Sequence, residues 1–427
     1  MQKEEVKIKE KSKNYIEKLL KETLQKIKPT EGEIRKINKI AQDFGKLLRE
    51  HDIRYFYGGS FAKGTFLKNL TDIDVYLLME NESEISQLKE KLSKLVRENQ
   101  LKLEVLHGSR DYFHIKYKRI LFEMVPVIDI KKPEEARNST DISKFHVEFV
   151  RNNIKKKPQL KDEILLFKYF LKQKGIYGAE SYNRGISGYL SEVLVINFGS
   201  FLKTLEFFKN PNFPIFIPKL SKEKIEKLKK SGKLNNYFNV LDPVLEERNL
   251  GMAVSIEKVN ELIVESNRFF LNPNFSKNNK FDELKKFYNK LDKKRFALLE
   301  VFFSDYFKKN YSNPDIIGGK EKKLVEKIIK ELEKENFNVY NWVFSFNKEK
   351  KEGKALILTD KSSNIVIKRG PTIGKGNIEK FLEKHKEDIV LIKDNIYILK
   401  YKKKKIEEVT YNLNKKLTDY LKIRKAN

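Results

Sequence analysis

The stretch that decides the fold is residues 58–79, which read GGSFAKGTFLKNLTDIDVYLLM. A short aromatic strand is predicted just before it, and its Gly-Gly-Ser turn is predicted to leave that strand and enter a helix. The end of the stretch, residues 72–79, predicts a second strand. Because alternate residues of a strand point to the same face, Asp72 and Asp74 place two carboxylates side by side.

Paired carboxylates of this kind point to a bound cation. Two like charges held close together are costly unless a cation lies between them. Mg²⁺ takes carboxylate oxygens and commonly bridges them to substrate phosphates, and two-metal sites perform in-line phosphoryl displacement. A third carboxylate is expected from the strand at residues 120–130. Glu123 and Asp129 share one face of that strand, and the spacing leaves the choice between them open.

The Gly-Gly-Ser turn has the features of a phosphate-binding turn. Glycine lets backbone amides approach a phosphate closely, and a helix N-terminus adds positive potential. Ser60 has a hydroxyl to donate, and Lys63 lies one helical turn farther along. The strand, turn, helix and acidic strand together are far more specific than either a lone Asp-x-Asp or a lone Gly-Gly-Ser.

The rest of the chain predicts a multidomain α/β and α+β protein. Residues 1–145 form a mixed α/β head, residues 146–271 a helical neck, and residues 272–427 a C-terminal body and tail of α+β units. Within the neck, residues 189–207 are predicted to form one apolar helix. The last segment, residues 403–425, is predicted to be a charged helix.

Composition favours a polyanionic partner. The sequence has 89 lysines and arginines against 60 aspartates and glutamates, a formal net charge of +29. Nucleic acid is the partner that such a charge fits best, although a hyperthermophile's lysine-rich composition gives the same number, and an anionic membrane surface is a weaker rival. Basic clusters at residues 155–157, 368–369 and 402–405 are candidate RNA contacts.

The sequence also narrows the cellular setting. It has no cysteine, which excludes disulfides and thiolate zinc sites. The longest apolar stretch, residues 189–202, is too short and too polar to span a bilayer, and the charged N-terminus lacks a signal core. A cytoplasmic protein without a membrane partner is therefore expected. A homodimer and a monomer are equally compatible with the sequence.

Several blocks of the sequence resemble a known family. GGSFAKGTF followed by TDIDVYLL resembles the catalytic signature of the polymerase-beta-like nucleotidyltransferases. Further blocks resemble the archaeal (class I) CCA-adding enzymes: FEMVP, STDISKFHVEFVRNN, GIYGAESYNRGISGYLSEVLVINFGSF, DPVLEERN and a late KRGP segment followed by a helix. These blocks run from about residue 30 to about residue 390 and cover most of the chain.

The resemblance implies an activity and a set of site residues. It implies template-independent addition of C, C and A to the 3′ end of tRNA from CTP and ATP, with release of pyrophosphate and Mg²⁺ as cofactor. The metal ligands implied are Asp72, Asp74 and Glu123, although the family has aspartate at the third position. The nucleotide-binding residues implied are Gly59, Ser60, Lys63 (usually arginine in the family), His146, Lys168, Tyr177 and Arg248, the last for the base. The neck would complete the nucleotide pocket, and the body and tail would hold tRNA.

Plainer interpretations remain open for these residues. Taken alone, His146 is more typical of a core or surface histidine, Tyr177 could simply pack, and Lys168 in an apolar helix needs a solvent exit or an anion. Arg248 could pair with Asp242 or Glu246. Three rival functions also stay open: a poly(A) polymerase or oligoadenylate synthetase, a non-catalytic RNA-binding protein on the same fold, and a minimal nucleotidyltransferase that modifies protein.

Overall fold

The structure is a computed structural model that describes residues 2–107, 110–230, 232–234, 237–363, 366–372, 378–384, 389–392, 395–400 and 404–426. The chain divides into two compact units, Met1–Asn278 and Asn279–Asn427. The first unit contains both the predicted head and the predicted neck, so the boundary between those two stays a prediction. In the described ranges, every helix is too short or too polar to cross a membrane.

The N-terminal part of the first unit contains α1 (Gln2–Ile27), α2 (Glu31–Glu50), β1 (Tyr55–Tyr57), α3 (Gly59–Lys63), β2 (Asp72–Met79), α4 (Ile85–Glu98), β3 (Leu103–Leu106), β4 (Tyr112–Tyr117) and β5 (Ile120–Ile128), with 3₁₀ turns at Glu82–Glu84 and Pro133–Glu135. Its strands form a five-stranded sheet of order β1-β2-β5-β4-β3, in which only β2 and β5 are parallel neighbours. One face of β2 is buried through Ile73, Val75, Leu77 and Met79, and the alternate face carries Asp72 and Asp74, as the sequence predicts.

The second part of the first unit is mainly helical and has its own apolar core. That core also receives Ile27 from the end of α1. The elements are α5 (Ser143–Lys156), α6 (Leu160–Gln173), α7 (Gly188–Phe198), α8 (Phe201–Lys209), β6 (Ile215–Ile217), α9 (Lys222–Lys230), β7 (Phe238–Val240) and α10 (Ile256–Leu271).

One expectation for the neck is wrong. The predicted helix at residues 189–207 is two helices, because Gly199 ends α7 with a φ of +85° and the Ser200 side chain caps the start of α8. Besides its helices, this region contains the short strands β6 and β7, which pair in parallel. Each of these strands has only three residues, too few for a period-two pattern to stand out.

The elements of the second unit are α11 (Lys280–Asn289), β8 (Phe296–Phe303), α12 (Tyr306–Asn310), α13 (Pro314–Lys334), β9 (Val339–Asn347), β10 (Glu352–Asp360), β11 (Val366–Thr372), α14 (Ile378–Lys384), β12 (Ile389–Ile392), β13 (Asn395–Lys400), α15 (Ile406–Lys416) and β14 (Leu421–Lys425). Its strands form two antiparallel sheets, of orders β14-β8-β10-β9 and β11-β13-β12.

The predicted helix at residues 403–425 is wrong in its second half. The helix ends at Lys416, and β14 pairs with β8 so that Leu421 and Ile423 are buried. The sequence LKIRK alternates apolar and basic residues, which is the period of a half-buried strand. Residues 401–403, which include part of the basic cluster at 402–405, lie outside the described residues.

Candidate active site

Asp74 of β2 lies against Gly59, the first residue of α3. Gly59 has a φ of +55°, and a Cβ at this position would lie 1.6 Å from Oδ2 of Asp74. Position 59 therefore requires glycine for two reasons: its φ is positive, and the Asp74 carboxylate leaves no room for a Cβ. Burial, followed by the nearby charge of Asp72, raises the pKa of Asp74 to about 6. The repulsion expected between these two carboxylates is thus present in the folded protein.

Glu123 is brought next to this pair by strand register. β2 and β5 are parallel, and Asp74 is the Cα partner of Glu123. On its other side Glu123 is paired with His114 of β4, whose Nε2 lies 3.6 Å from Oε1 of Glu123. Among the described residues, no group of three or more histidines and carboxylates is arranged to hold a metal ion as it stands.

Asp129, the alternative third carboxylate, is at the far end of β5. It lies just beyond the strand, where its backbone N–H donates to the carbonyl of Met79. Its carboxylate pairs with Lys144 at 3.0 Å and lies 3.8 Å from Arg54. The register therefore favours Glu123 as the neighbour of the pair, and the role of either residue as a metal ligand remains a prediction.

Lys63 and Lys168 meet at one buried carboxylate, that of Glu192 on α7. Lys63 Nζ donates to Oε2 of Glu192 at 2.9 Å, and Lys168 Nζ donates to Oε1 at 2.6 Å. Thr65, which is fully buried, donates its hydroxyl to Oε1 at 2.5 Å. The anion that Lys168 needs inside an apolar helix is therefore a glutamate of the next helix.

The electrostatics of this cluster follow from burial and pairing. Burial alone would raise the pKa of Glu192, but Lys168 and Lys63 together hold it down to about 2. Burial lowers the pKa of Lys168, and Glu192 opposes that shift. Two ammonium groups on one carboxylate leave a surplus positive charge close to Asp74.

His146 and Arg248 also meet, at the buried carboxylate of Asp242. His146 Nε2 lies 2.9 Å from Oδ2 of Asp242, and Arg248 Nη1 donates to the same oxygen at 3.0 Å. Because a carboxylate only accepts, the Nε2 of His146 carries the hydrogen. Burial lowers the pKa of His146, and its contact with Asp242 opposes that shift. The pairing of Arg248 with Asp242, one of the plainer interpretations, is confirmed.

Tyr189 joins the two clusters. Its ring stacks on His146 with centroids 3.9 Å apart, its hydroxyl donates to Asp242 at 3.1 Å, and Lys63 Nζ lies 4.9 Å from its ring centroid. Tyr189 and Glu192 are three residues apart on α7 and so share one helix face. The segment GYLSE thus supplies both side chains around which the predicted nucleotide-binding residues gather.

Tyr177 packs over the start of the same helix. A Cβ at Gly188 would lie 2.8 Å from the Tyr177 hydroxyl. Burial raises the pKa of that hydroxyl, and the charges of Glu192 and Asp72 raise it further. Tyr177 therefore lies on the side of the neck that faces the carboxylates.

Family models and relatives agree on what this chain is similar to. A model described as a nucleotidyltransferase domain matches residues 34–165, and one described as the second domain of tRNA nucleotidyltransferase matches residues 162–278. A CCA-adding enzyme of Nanoarchaeum equitans is 31% identical over 355 residues, which is 82% of this chain and 84% of that protein. The chain belongs to the archaeal CCA-adding enzyme family.

Other members of this family align over similar lengths. The CCA-adding enzyme of Archaeoglobus fulgidus is 28% identical, covering 78% of this chain and 74% of that protein. That of Sulfolobus acidocaldarius is 27% identical, covering 91% of this chain and 89% of that protein. The predicted family and the prediction that the chain is a nucleotidyltransferase are confirmed. Enzymes of this kind use nucleoside triphosphates and divalent metal ions.

Solved structures confirm the fold class of this family member. A structure of the Cid1 poly(U) polymerase with MgGTP bound has a TM-score of 0.51 and 14% identity, and covers 62% of this chain and 99% of that chain. A second Cid1 structure, from work on RNA terminal uridylyl transferase activity, has the same TM-score and identity. Its alignment covers 62% of this chain and 98% of the Cid1 chain. At this identity the likeness shows the fold alone.

Sequence reasoning missed the residues that hold the predicted contacts in place. Glu192, Thr65 and Tyr189 were not identified as site residues, and Asp242 appeared only as a plain partner for Arg248. For Glu192 a signal was available, because a lone glutamate in one apolar helix and Lys168 in another indicate a buried pair. No comparable signal marks Thr65 or Tyr189.

Proposed function

We propose that this chain adds C, C and A to the 3′ end of tRNA, using CTP and ATP and releasing pyrophosphate. Family membership supports the nucleotidyl transfer, and the relatives named CCA-adding enzymes support the product. The single observation that supports the proposal at the level of individual residues is that predicted nucleotide-binding side chains cluster around α7. Tyr189 and Glu192 bring Lys63, Lys168, His146 and Arg248 into one region of the first unit.

Asp72, Asp74 and Glu123 are the proposed ligands of Mg²⁺. The raised pKa of Asp74 beside Asp72 fits this role, because a divalent cation relieves the repulsion between them. Oxygen donors from carboxylates suit Mg²⁺, which keeps several waters and substrate oxygens in its shell. Held by these carboxylates, the ion would supply a lower pKa for the attacking hydroxyl and positive charge opposite the triphosphate and the departing pyrophosphate.

The remaining site residues bind and orient the nucleotide. Gly59 and Ser60, at the start of α3 beside Asp74, offer backbone amides and a hydroxyl to the triphosphate, and Lys63 adds charge. Tyr177 and His146 line the neck side of the pocket. Arg248 uses one amino nitrogen on Asp242, which leaves other N–H groups of its guanidinium for the incoming base.

The proposed reaction needs no covalent enzyme intermediate. The terminal hydroxyl oxygen of the RNA bonds to the α-phosphorus, the bond from that phosphorus to the β-phosphate oxygen breaks, and pyrophosphate leaves. The hydroxyl proton is lost to water. We assign tRNA binding to the C-terminal body and tail, residues 272–427. The basic cluster at residues 155–157, exposed at the end of α5, is a further candidate RNA contact. The cytoplasmic location and the oligomeric state stay predictions.

The test is incubation with Mg²⁺, CTP, ATP and a tRNA transcript that lacks its CCA end, followed by sequencing of the 3′ terminus. Addition of C, C and A that then stops is expected. A growing homopolymer would instead assign the chain to the poly(A) polymerase or oligoadenylate synthetase class. No addition together with tight tRNA binding would favour the non-catalytic RNA-binding protein.

Variants of the carboxylates sharpen this test. Asp72→Ala and Asp74→Ala are expected to abolish transfer and to leave tRNA binding nearly intact, because the pair serves the metal. Glu123→Ala should also abolish transfer, whereas Asp129→Ala should retain it. Loss of transfer in Asp129→Ala with retention in Glu123→Ala would reverse the assignment of the third ligand.

A further inference from the structure

The two lysines bound to Glu192 differ in how many of their hydrogens are used. Lys168 Nζ has three acceptors, namely the Thr65 carbonyl at 3.2 Å, the Thr65 hydroxyl at 3.1 Å and Glu192 Oε1 at 2.6 Å. An ammonium group has three N–H donors, so all of them are taken. Lys63 Nζ has Glu192 as its hydrogen-bond acceptor among the described residues, which leaves two N–H groups unused.

The charges explain why one carboxylate must hold both lysines. The side chains of Lys63, Lys168 and Glu192 are 7%, 3% and 1% exposed. Two ammonium groups this close together repel each other in a buried setting, and burial favours the neutral form of an amine. The carboxylate offsets one positive charge and leaves the other for a ligand.

We propose that Glu192 is a positioning residue for the triphosphate. It keeps Lys63 in place beside the Gly59–Ser60 turn with two N–H groups available, while Lys168 and Thr65 anchor the carboxylate from the opposite side. In this arrangement Lys63 is the lysine with N–H groups to offer to phosphate, and Lys168, which the sequence also predicts to bind the nucleotide, has its three N–H groups on Thr65 and Glu192. The inference rests on the proposed function, because it takes a nucleoside triphosphate as the ligand.

A second buried ion pair in the same unit provides the matched control. Glu265 on α10 is 5% exposed, lies 3.5 Å from Lys174 and accepts a hydrogen bond from Arg268 at 2.6 Å. Lys174 also donates to the carbonyl of Ser276 and the side chain of Asn278. This pair resembles the first in chemistry and burial but contacts none of the proposed site residues.

The experiment measures binding of CTP and ATP with Mg²⁺ by calorimetry, and KM and kcat for transfer to tRNA lacking its CCA end. It compares the wild-type chain with Glu192→Gln, Glu192→Asp and Glu265→Gln. Glutamine keeps the shape of the side chain and removes the charge. Aspartate keeps the charge on a shorter side chain.

Glu192→Gln is expected to raise KM and the dissociation constant for CTP and ATP about tenfold, the size of one lost charge-assisted contact. The change in kcat should be much smaller. Glu192→Asp should give an intermediate KM because the charge is kept. Glu265→Gln should leave KM and kcat unchanged, even if it lowers the melting temperature as much as Glu192→Gln does.

Unchanged or tighter nucleotide binding in folded Glu192→Gln would overturn the inference, and so would an equal rise in KM in Glu265→Gln. If Glu192→Gln does not fold, Thr65→Val takes its place. That variant removes one donor to Glu192 and one acceptor of Lys168, and it should raise KM about threefold, with an unchanged KM counting against the inference. A wild-type chain that binds neither CTP nor ATP would refute the proposed function itself, and this inference with it.

Discussion

Two glutamates, one in each unit, are buried to the same degree and behave in opposite ways. Glu192 is 1% exposed and Glu321 of α13 is 0% exposed. Glu192 binds two lysines and a threonine, and its pKa is lowered to about 2. Neither carboxylate oxygen of Glu321 has a hydrogen-bond partner among the described residues, and burial raises its pKa to about 7.

The contrast shows that partners, not burial, decide the charge of a buried carboxylate. Removing a carboxylate from water always disfavours its ionised form, and only nearby cations and donors reverse that effect. Near Glu321 the backbone of Gly353 lies so close that a Cβ there would be 2.3 Å from Oε2. The Gly353 backbone and, after it, Lys308 lower the pKa of Glu321 only partly, and the Lys308 ammonium is itself paired with Asp305 at 2.9 Å.

The largest expected effect comes from removing a partner of the paired glutamate. Lys168→Met should lower the free energy of unfolding of the first unit by about 3 kcal/mol, because Glu192 is left with one cation. Far-UV circular dichroism in urea measures this loss. Trp342, the sole tryptophan of the chain, lies on β9 of the second unit. The unfolding transition reported by its fluorescence should therefore be the same as in the wild-type chain.

Lys224→Met is the control for that prediction. Lys224 pairs with Glu246 at 2.6 Å, but both side chains are exposed, so the loss should be below about 1 kcal/mol. Adding Glu192→Gln to Lys168→Met should recover part of the stability, since no unbalanced carboxylate remains. Equal losses in Lys168→Met and Lys224→Met would mean that the buried pair contributes no more than a surface pair.

The next effect is a pH dependence that belongs to the unpaired glutamate. The pKa of Glu321 is about 7 in the folded protein, against an ordinary value of 4.5. Between pH 4.5 and pH 7, therefore, Glu321 is protonated in the folded state and ionised in the unfolded chain. Stability of the second unit should therefore fall as pH rises from 5 to 8, by about 2 kcal/mol. Trp342 fluorescence in urea measures it.

Glu321→Gln isolates this contribution, because its amide does not titrate and the variant should lose most of the pH dependence. Glu326→Gln changes an exposed residue of the same helix, so the free energy of unfolding should depend on pH as it does in the wild-type chain. If the free energy of unfolding depends on pH equally in the wild type, Glu321→Gln and Glu326→Gln, Glu321 is ionised across the whole range from pH 5 to 8. The contrast with Glu192 would then disappear.

The smallest effect concerns the hydroxyl that supports the paired glutamate. Thr65→Val should lower the free energy of unfolding of the first unit by about 1.5 kcal/mol, the low end for a hydrogen bond to a charged group, because the hydroxyl contacts both the Glu192 carboxylate and the Lys168 ammonium. Circular dichroism in urea measures it beside Lys168→Met. A loss as large as that of Lys168→Met would mean that the hydroxyl, and not the ammonium, governs the stability of Glu192.

The local sequence pattern predicted the arrangement of side chains on β2 correctly, but it did not predict contacts between distant parts of the chain. The period-two alternation of β2 predicted that Asp72 and Asp74 share a face, and the structure agrees. The same reasoning placed Glu123 and Asp129 on one face of their strand, but it could not say which of them lies beside Asp72 and Asp74 of β2. The parallel register, which pairs Asp74 with Glu123, is a property of two strands far apart in the chain.

The sequence by itself determined the acidic pair, the glycine turn, the alternation of elements and, through its blocks, the family. These features depend on neighbours within a few residues, where backbone geometry fixes which side chains share a face. Only the tertiary structure decided that Lys63 and Lys168 share Glu192, and that His146 and Arg248 share Asp242. Such partners lie up to 129 residues apart. A buried charge takes whichever partner the packing of helices and strands brings within reach, and no local pattern encodes that choice.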